Sequence, residues 1–351
     1  PEDEQSPKIW INGKGSLSGP LKIDHLSGSA DFEILSPLFA NQGSITATAK
    51  LSDGEGVLSI KNQLNSLQLN ALFNFSSSNF NSIDLELNSF RPGEYDESFD
   101  CVDVTSKISY SYSPSKLLEG NGSIALSRFS FGCAPYKLSL QNPQQWKITQ
   151  GATKIPALEF IGDDSNVILG GSITANGPVN LNADGSLHLD SIAYLLPNFD
   201  DIRGFAKASL NISGTTDAPQ FEGKVILSEA EFYIEDINLS AEKIAGELVL
   251  RKDNIEVSEI TGIVNGGNVS TYGTVFPFAL ERSNIRAQFE GIELDNIENT
   301  SIIASGSLML GPADNGDPTL SGIITIDNAE FEKKLDISAI LGELSSAILK
   351  P

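Results

Sequence analysis

The most constraining feature of the chain is a strand-and-turn phrase that recurs along it. The phrase occupies Gly214–Phe232 as GTTDAPQFEGKVILSEAEF, and variants of it occupy residues 19–32 and 311–331. Each variant has a glycine and a proline, then an apolar–x–Gly step, and then alternating apolar residues that end in phenylalanine. A unit that recurs in this way predicts one long sheet built by repetition.

Apolar and polar residues alternate through most of the chain, as in residues 207–212 (KASLNI). This alternation is typical of antiparallel strands with one apolar and one polar face. Turn dipeptides are predicted to separate the strands, at Asp53-Gly54, Asn121-Gly122, Asn176-Gly177, Asp184-Gly185 and Asn265-Gly266. At about 12 residues for each strand and turn, the chain would hold on the order of 27 strands.

A flat open sheet of that size is not expected, because large sheets twist and curl. The predicted fold class is therefore all-β: a long, curled, U-shaped and mainly antiparallel sheet with an apolar concave groove. A closed sandwich, in which two apolar faces bury each other, is the competing fold.

The regularity of the pattern divides the chain into parts. Residues 1–150 form a less regular N-terminal part of the groove, and residues 151–335 form the regular part. Irregular stretches lie at 91–116 and at 134–160, and the second spans the division near residue 150. Residues 336–351 change to a helical period. They predict one short amphipathic helix, which either packs on the end of the sheet or lies in the groove.

The charge of the chain excludes some partners. Asp and Glu total 46 against 23 Lys and Arg, which gives a net charge of −23. That balance argues against nucleic acid and against docking on anionic lipid headgroups. The sequence has no apolar run of membrane-spanning length, and it opens on proline. We therefore expect a segment of a longer protein, with any membrane anchor outside it.

The residues contain no recognisable catalytic constellation. His25 and His188 are the two histidines, and neither has cysteine or carboxylate neighbours at zinc-ligand spacing. Nucleophile-elbow, P-loop and zinc-protease motifs are missing from the sequence. The sequence therefore predicts a protein that is not an enzyme and has no cofactor and no metal. The two cysteines, Cys101 and Cys133, form either one disulfide or two free thiols.

Residues 158–275 resemble the TamB family of the AsmA-like group. The resemblance rests on L-x-I-S-G-T-x-x-A-P-x-F-x-G-x-V-x-L from Leu210 to Leu227, on I-x-G-x-L-x-L from Ile244 to Leu250, and on a following G-G-x-V-x-x-x-G-x-V. The first 150 residues depart from the pattern, which leaves the position of this segment in its parent chain open.

The resemblance implies a periplasmic segment of an inner-membrane-anchored protein in a diderm bacterium. It implies a bridge-like lipid conduit that carries phospholipids between the inner and outer membranes along the apolar groove, and support for outer-membrane protein assembly. The implied partners are phospholipid acyl chains and an outer-membrane barrel protein such as TamA, which would bind through regions outside this segment. The periplasm is oxidising, so this location favours a Cys101–Cys133 disulfide.

The groove lining is predicted from the apolar phase of the alternating runs. The predicted lining residues are Val167, Leu169, Ile173, Leu187, Leu189, Leu210, Ile212, Phe221, Val225, Leu227, Phe232, Leu248, Leu250, Val269, Val275, Leu308, Leu310, Ile324, Ile326 and Phe331.

A function of another class competes with the lipid conduit. A secreted or surface β-solenoid or β-sandwich, acting as a scaffold or adhesin without lipid, would also be acidic and rich in Asn, Ser and Gly. A solenoid requires a strict repeat length, whereas the spacing here varies.

Overall fold

The computed structural model describes residues 10–19, 26–35, 44–52, 54–74, 81–94, 99, 101–195, 201–235, 238–277, 279–297, 300–312 and 317–331. The strands are β1 (Trp10–Ser18), β2 (Ser27–Leu35), β3 (Ile45–Ser52), β4 (Glu55–Asn62), β5 (Leu67–Asn74), β6 (Asn81–Phe90), β7 (Asp103–Ser113), β8 (Lys116–Phe131), β9 (Leu138–Leu140), β10 (Gln144–Thr149), β11 (Ala152–Gly162), β12 (Ser165–Thr174), β13 (Val179–His188), β14 (Asp201–Thr215), β15 (Ala218–Ile234), β16 (Leu239–Arg251), β17 (Asn254–Val264), β18 (Gly267–Val275), β19 (Asn284–Ile297), β20 (Thr300–Pro312) and β21 (Pro318–Phe331). In the described part of the chain, short 3₁₀ helices lie between strands at Pro92–Glu94, Leu189–Leu195 and Leu280–Arg282.

All the strands belong to one 21-stranded sheet, and every pairing in it is antiparallel. Strands that follow one another in the chain are also neighbours in the sheet. The exception lies between β8 and β11, where β10 pairs with one half of β8 and the short β9 pairs with the other. The prediction of an all-β, mainly antiparallel sheet is confirmed.

The strands with substantial mutual contact are hydrogen-bonded neighbours. Within the described residues, no second sheet therefore packs face to face on this one, as a sandwich would require. The predicted C-terminal helix at residues 336–351 lies outside the described residues.

The turn signals are confirmed in part. Asn176-Gly177 and Asn265-Gly266 do form turns, and both residues of the second pair have positive φ angles (42° and 80°). Asn121-Gly122 and Asp184-Gly185 lie instead inside β8 and β13, so these two predictions are wrong. Cross-strand pairing on both sides of these dipeptides keeps the backbone extended.

Residues 103–131, which overlap the stretch predicted to be irregular, form the long hairpin β7–β8. Cys101 and Cys133 are joined by a disulfide just beyond the open end of this hairpin, with their Cα atoms 5.0 Å apart. The bond joins the residue two positions before β7 to the residue two positions after β8. Pairing then continues from β10 through β11 to β12, without a break at residue 150.

β-Bulges shift the register in many strands of the C-terminal half, for example between Leu227 and Ala230 and between Phe289 and Ile292. A bulge places two residues opposite one, and it bends and twists the strand. Repeated along the sheet, these bends keep it from lying flat.

Gly223 occupies a position in β15 that only glycine fits well. Its φ is 144°, and a Cβ on it would collide with the carbonyl oxygen of Ser209 on β14. The close approach of β14 and β15 at this level therefore depends on the missing side chain.

We expect Gly223→Ala to lower the midpoint of thermal unfolding, at a cost of about 1–3 kcal/mol for the strained backbone. Circular dichroism would measure the midpoint. Gln220→Ala, an exposed change on the same strand, is the control and should stay within about 0.5 kcal/mol of the parent. Equal midpoints for the two variants would show that β14 and β15 do not need this close approach.

Candidate functional site

The strand register assembles one continuous apolar face. Directly paired residues in an antiparallel sheet project to the same side, so a row can be followed from strand to strand. From β11 to β21, one such row consists of Phe160, Val167, Gly185, Ala208, Val225, Leu248, Val257, Gly273, Ile285, Leu310 and Leu320. Every member is apolar or glycine. We call the side of the sheet that carries this row the apolar face, and the other side the polar face.

The apolar face extends through the N-terminal half as well. A second row crosses β1 to β10 and consists of Gly13, Phe32, Ala47, Ile60, Leu69, Leu85, Ile108, Ile124 and Trp146. None of these residues was among the predicted lining residues. The signal was present in runs such as SIDLELN (residues 82–88), where Ile83, Leu85 and Leu87 alternate with polar residues.

The structure brings the predicted lining residues together on the apolar face, apart from two. Leu210 pairs with Ala183 and Gly223, and the other strand residues of the set occupy equivalent positions in their own strands. Leu189 lies in the 3₁₀ helix Leu189–Leu195. Phe331 pairs with Thr300 at the end of β21, and the structure does not describe its side chain.

Leu189 covers part of the apolar face instead of lining an open surface. It is buried in a cluster with residues of β14–β16, including Ile202, Ala230 and Ile244, and Leu227 and Phe232 pack against this cluster. A second buried cluster, formed by Leu138, Leu158 and Phe160, covers the face at β11–β12, and Val167 and Leu169 pack against it. Elsewhere the face has open parts: Phe221 is 44% exposed, and Leu320, Ile324 and Ile326 in β21 are more exposed still. The apolar face is therefore dry at one end of β14–β16 and accessible beside it.

The N-terminal strands enclose an apolar concavity of about 530 Å³. On each of β1–β4, two side chains of the apolar face form the walls of the concavity, and the backbone of the residue between them forms its floor. On β3, for example, Ala49 and Leu51 form the walls and the backbone of Lys50 forms the floor. The sheet is thus concave towards its apolar side here. The lining comprises Gly15, Ser16, Leu17, Gly28, Ser29, Ala30, Ala49, Lys50, Leu51, Gly56, Val57, Leu58 and Phe73.

The polar face carries the charged groups of the C-terminal half. Lys224 and Glu247 form an ion pair at 2.5 Å across β15 and β16, and Arg251 and Glu256 form one at 2.6 Å across β16 and β17. Such exposed pairs contribute little stability, but they keep this side of the sheet hydrated.

The acidic and histidine side chains of the described residues are spread over the sheet. The described residues contain no group of three or more His, Cys, Asp or Glu side chains that could hold a metal ion. The His188 ring lies between the rings of Tyr136 and Phe205, at centroid distances of 4.4 and 4.1 Å. No helix in the described part of the chain is both long and apolar enough to cross a membrane.

Residues 162–332 match the family model of the TamB C-terminal domain. This segment is TamB-like. The resemblance drawn from the repeated phrase is thereby confirmed, and it indicates a TamB-like protein of the periplasm and cell envelope. No curated protein and no solved structure matches the chain.

The matched segment begins at the end of β11 and includes β12–β21, so it contains nearly all of the first apolar row. The second row lies outside the match, yet it continues the same face of the same sheet.

The open and covered parts of the apolar face should respond differently to a buried charge. Ile244 is 8% exposed within the cluster around Leu189, whereas Leu210 is half-buried outside it. We expect Ile244→Asp to cost several kcal/mol, because the carboxylate would lose its water, and Leu210→Asp to cost much less. Thermal unfolding followed by circular dichroism would compare them. A loss of stability at Leu210 as large as that at Ile244 would mean that the face is closed there too.

Proposed function

We propose that the TamB-like sheet is a lipid conduit that binds the acyl chains of phospholipids on its apolar face. In this proposal it supports the passage of phospholipids across the periplasm between the inner and outer membranes. The observation that carries the proposal is the unbroken apolar row from β11 to β21, on a face that no second sheet covers within the described residues. A soluble protein seldom leaves so large an apolar surface open unless something apolar occupies it.

The length of the row suits a conduit better than a single binding site. At about 4.8 Å per strand, the row from β11 to β21 is on the order of 50 Å long. An acyl chain spans about 15 Å, half of the ~30 Å hydrocarbon core of a bilayer. The row is therefore long enough for several chains in succession.

The uniform chemistry of the apolar face allows a bound lipid to move along the row. Each methylene that leaves water contributes about 0.8 kcal/mol, and this gain is similar wherever the chain lies on a uniform apolar lining. Neighbouring positions along the row hold residues of one kind, such as Ala208, Val225 and Leu248. A lipid can then move from strand to strand without leaving a deep site, while its headgroup stays in water. The process uses no base, nucleophile or metal.

The acidic charge of the protein favours binding of phospholipids through their acyl chains and not through their headgroups. With a net charge of −23, the protein repels anionic headgroups, so acyl chains supply the attraction. In the parent protein, we place the membrane anchor and the contact with an outer-membrane barrel partner in regions outside this segment. A contribution to outer-membrane protein assembly belongs to the same proposal.

A scaffold or adhesin without lipid is the alternative function. The antiparallel hairpin order of the described strands disfavours a parallel solenoid, and the single sheet disfavours a sandwich. A single-sheet scaffold would differ from a conduit in carrying no lipid.

We expect the purified protein to retain phospholipid. Native mass spectrometry under mild desolvation should show adducts of phospholipid mass, and solvent extraction should release them. A protein that is free of lipid and also fails to bind a fluorescent fatty acid would contradict the conduit and favour the scaffold.

We further expect Leu210→Asp to weaken binding of a fluorescent fatty acid by tenfold or more, because its carboxylate lies in the path of the chain. Gln220→Asp is the matched control, since it adds the same charge on the polar face of the next strand. Fluorescence titration would be performed on variants whose unfolding midpoints are known. Equal losses in the two variants would point to a general charge effect and away from an apolar path.

A further inference from the structure

A wide concavity of the described structure lies on the polar face, opposite the proposed lipid path. Its volume is about 970 Å³, and it crosses β17–β21. On β18, for example, Asn268 and Ser270 flank Val269, whose side chain projects to the apolar face. The same arrangement recurs on β19 and β20, so polar side chains form the walls and the backbone forms the floor. The lining comprises Thr261, Gly262, Ile263, Asn268, Val269, Ser270, Gln288, Phe289, Glu290, Ser305, Gly306, Ser307, Thr325 and Asp327.

Several polar groups in this concavity have no protein partner. Among the described residues, the side chains of Asn268, Ser270, Gln288 and Ser307 make no hydrogen bond or ion pair, although Ser305 bonds to Asp327 and accepts from the Gly291 amide at 3.1 Å. The polar face of β13–β17 differs, because it carries cross-strand pairs such as Ser209 with Asp184, Lys224 with Glu247 and Arg251 with Glu256. The concavity thus presents amide and hydroxyl donors and acceptors that are free to bind a ligand.

The charge of the lining restricts that ligand. The lining residues include two carboxylates, Glu290 and Asp327, and no lysine or arginine. A phosphate or a phospholipid headgroup would be repelled by these two carboxylates, and Arg286 lies on the same face beside the lining, not within it. The volume lies at the upper end of the roughly 300–1,000 Å³ range of ligand pockets, so a ligand of several linked units would fit.

An aromatic ring extends the concavity on β18. Tyr272 follows Ser270 on the same face, is 40% exposed, and pairs with Arg286 on β19. A phenol ring has an apolar face and a polar tip, and it can pack against the C–H face of a sugar ring while amides and carboxylates bind the hydroxyl groups.

We propose that this polar concavity binds a neutral oligosaccharide, with Asn268, Gln288 and Glu290 bonding to sugar hydroxyls and Tyr272 packing on a sugar ring. A peptide that binds by adding a strand would pair along the outer edge of β21, because the backbone groups of β18–β20 on the floor already pair with neighbouring strands. The site lies on the opposite face from the proposed lipid path and is independent of it.

The test is a binding titration of the full chain with chitohexaose, maltohexaose and cellohexaose as probes, followed by saturation-transfer NMR and isothermal calorimetry. At least one probe should bind. Gln288→Ala and Tyr272→Ala should each weaken its binding fivefold or more, and Gln220→Ala, on the polar face outside the concavity, should leave it unchanged. Since these changes are exposed or half-exposed, unfolding midpoints should stay near that of the parent.

Three results would overturn the proposal: no binding by any of the three sugars, binding that both variants leave unchanged, or binding of a lysine-rich peptide in place of sugar. Leu210→Asp separates the two sites, because it should weaken fatty-acid binding tenfold or more and leave sugar binding unchanged. If the parent protein binds a sugar but no fatty acid, the result contradicts the lipid conduit and leaves the sugar site supported.

Discussion

The structure depends on cross-strand register maintained without a second layer. In a sandwich, packing against the opposing sheet would stabilise the correct register of every strand. Here the register of a strand is stabilised by the neighbouring strands with which it pairs. A slip of one residue would turn a whole strand's apolar side chains to the polar face. The near-uniform rows therefore show that pairing, turns and alternation agree along the whole sheet.

The bulges show how this agreement survives irregularity. In β15 the apolar positions are Val225 and Leu227 before the bulge, and Ala230 and Phe232 after it. The sequence changes phase where the backbone gains its extra residue, so the same face stays apolar on both sides. The bend that the bulge adds thus leaves the chemistry of the surface unchanged.

Much of this could be predicted from alternation alone. The all-β class and the shared face of most lining residues follow from a period of two, which depends only on the pleat. The phase changes at the bulges could not be predicted from this alternation. The strands β7 and β8 could not be predicted either, because a dipeptide such as Asn121-Gly122 has the same composition in a turn and in a paired strand. The cover formed by Leu189 was equally hidden, since a 3₁₀ helix that packs on a sheet leaves no periodic trace over seven residues. The polar concavity arises from the relative placement of five strands, and no local pattern encodes it.

The hairpin order of the sheet also has a consequence for how such a molecule can change in size. Since chain neighbours are sheet neighbours nearly everywhere, removing or adding one hairpin preserves the direction of every other strand and needs no rethreading. Each hairpin adds roughly 10 Å of sheet, twice the spacing between strands. The span of the apolar surface is therefore set by the number of hairpins, and gene-level duplication of a single strand-and-turn phrase is enough to lengthen it.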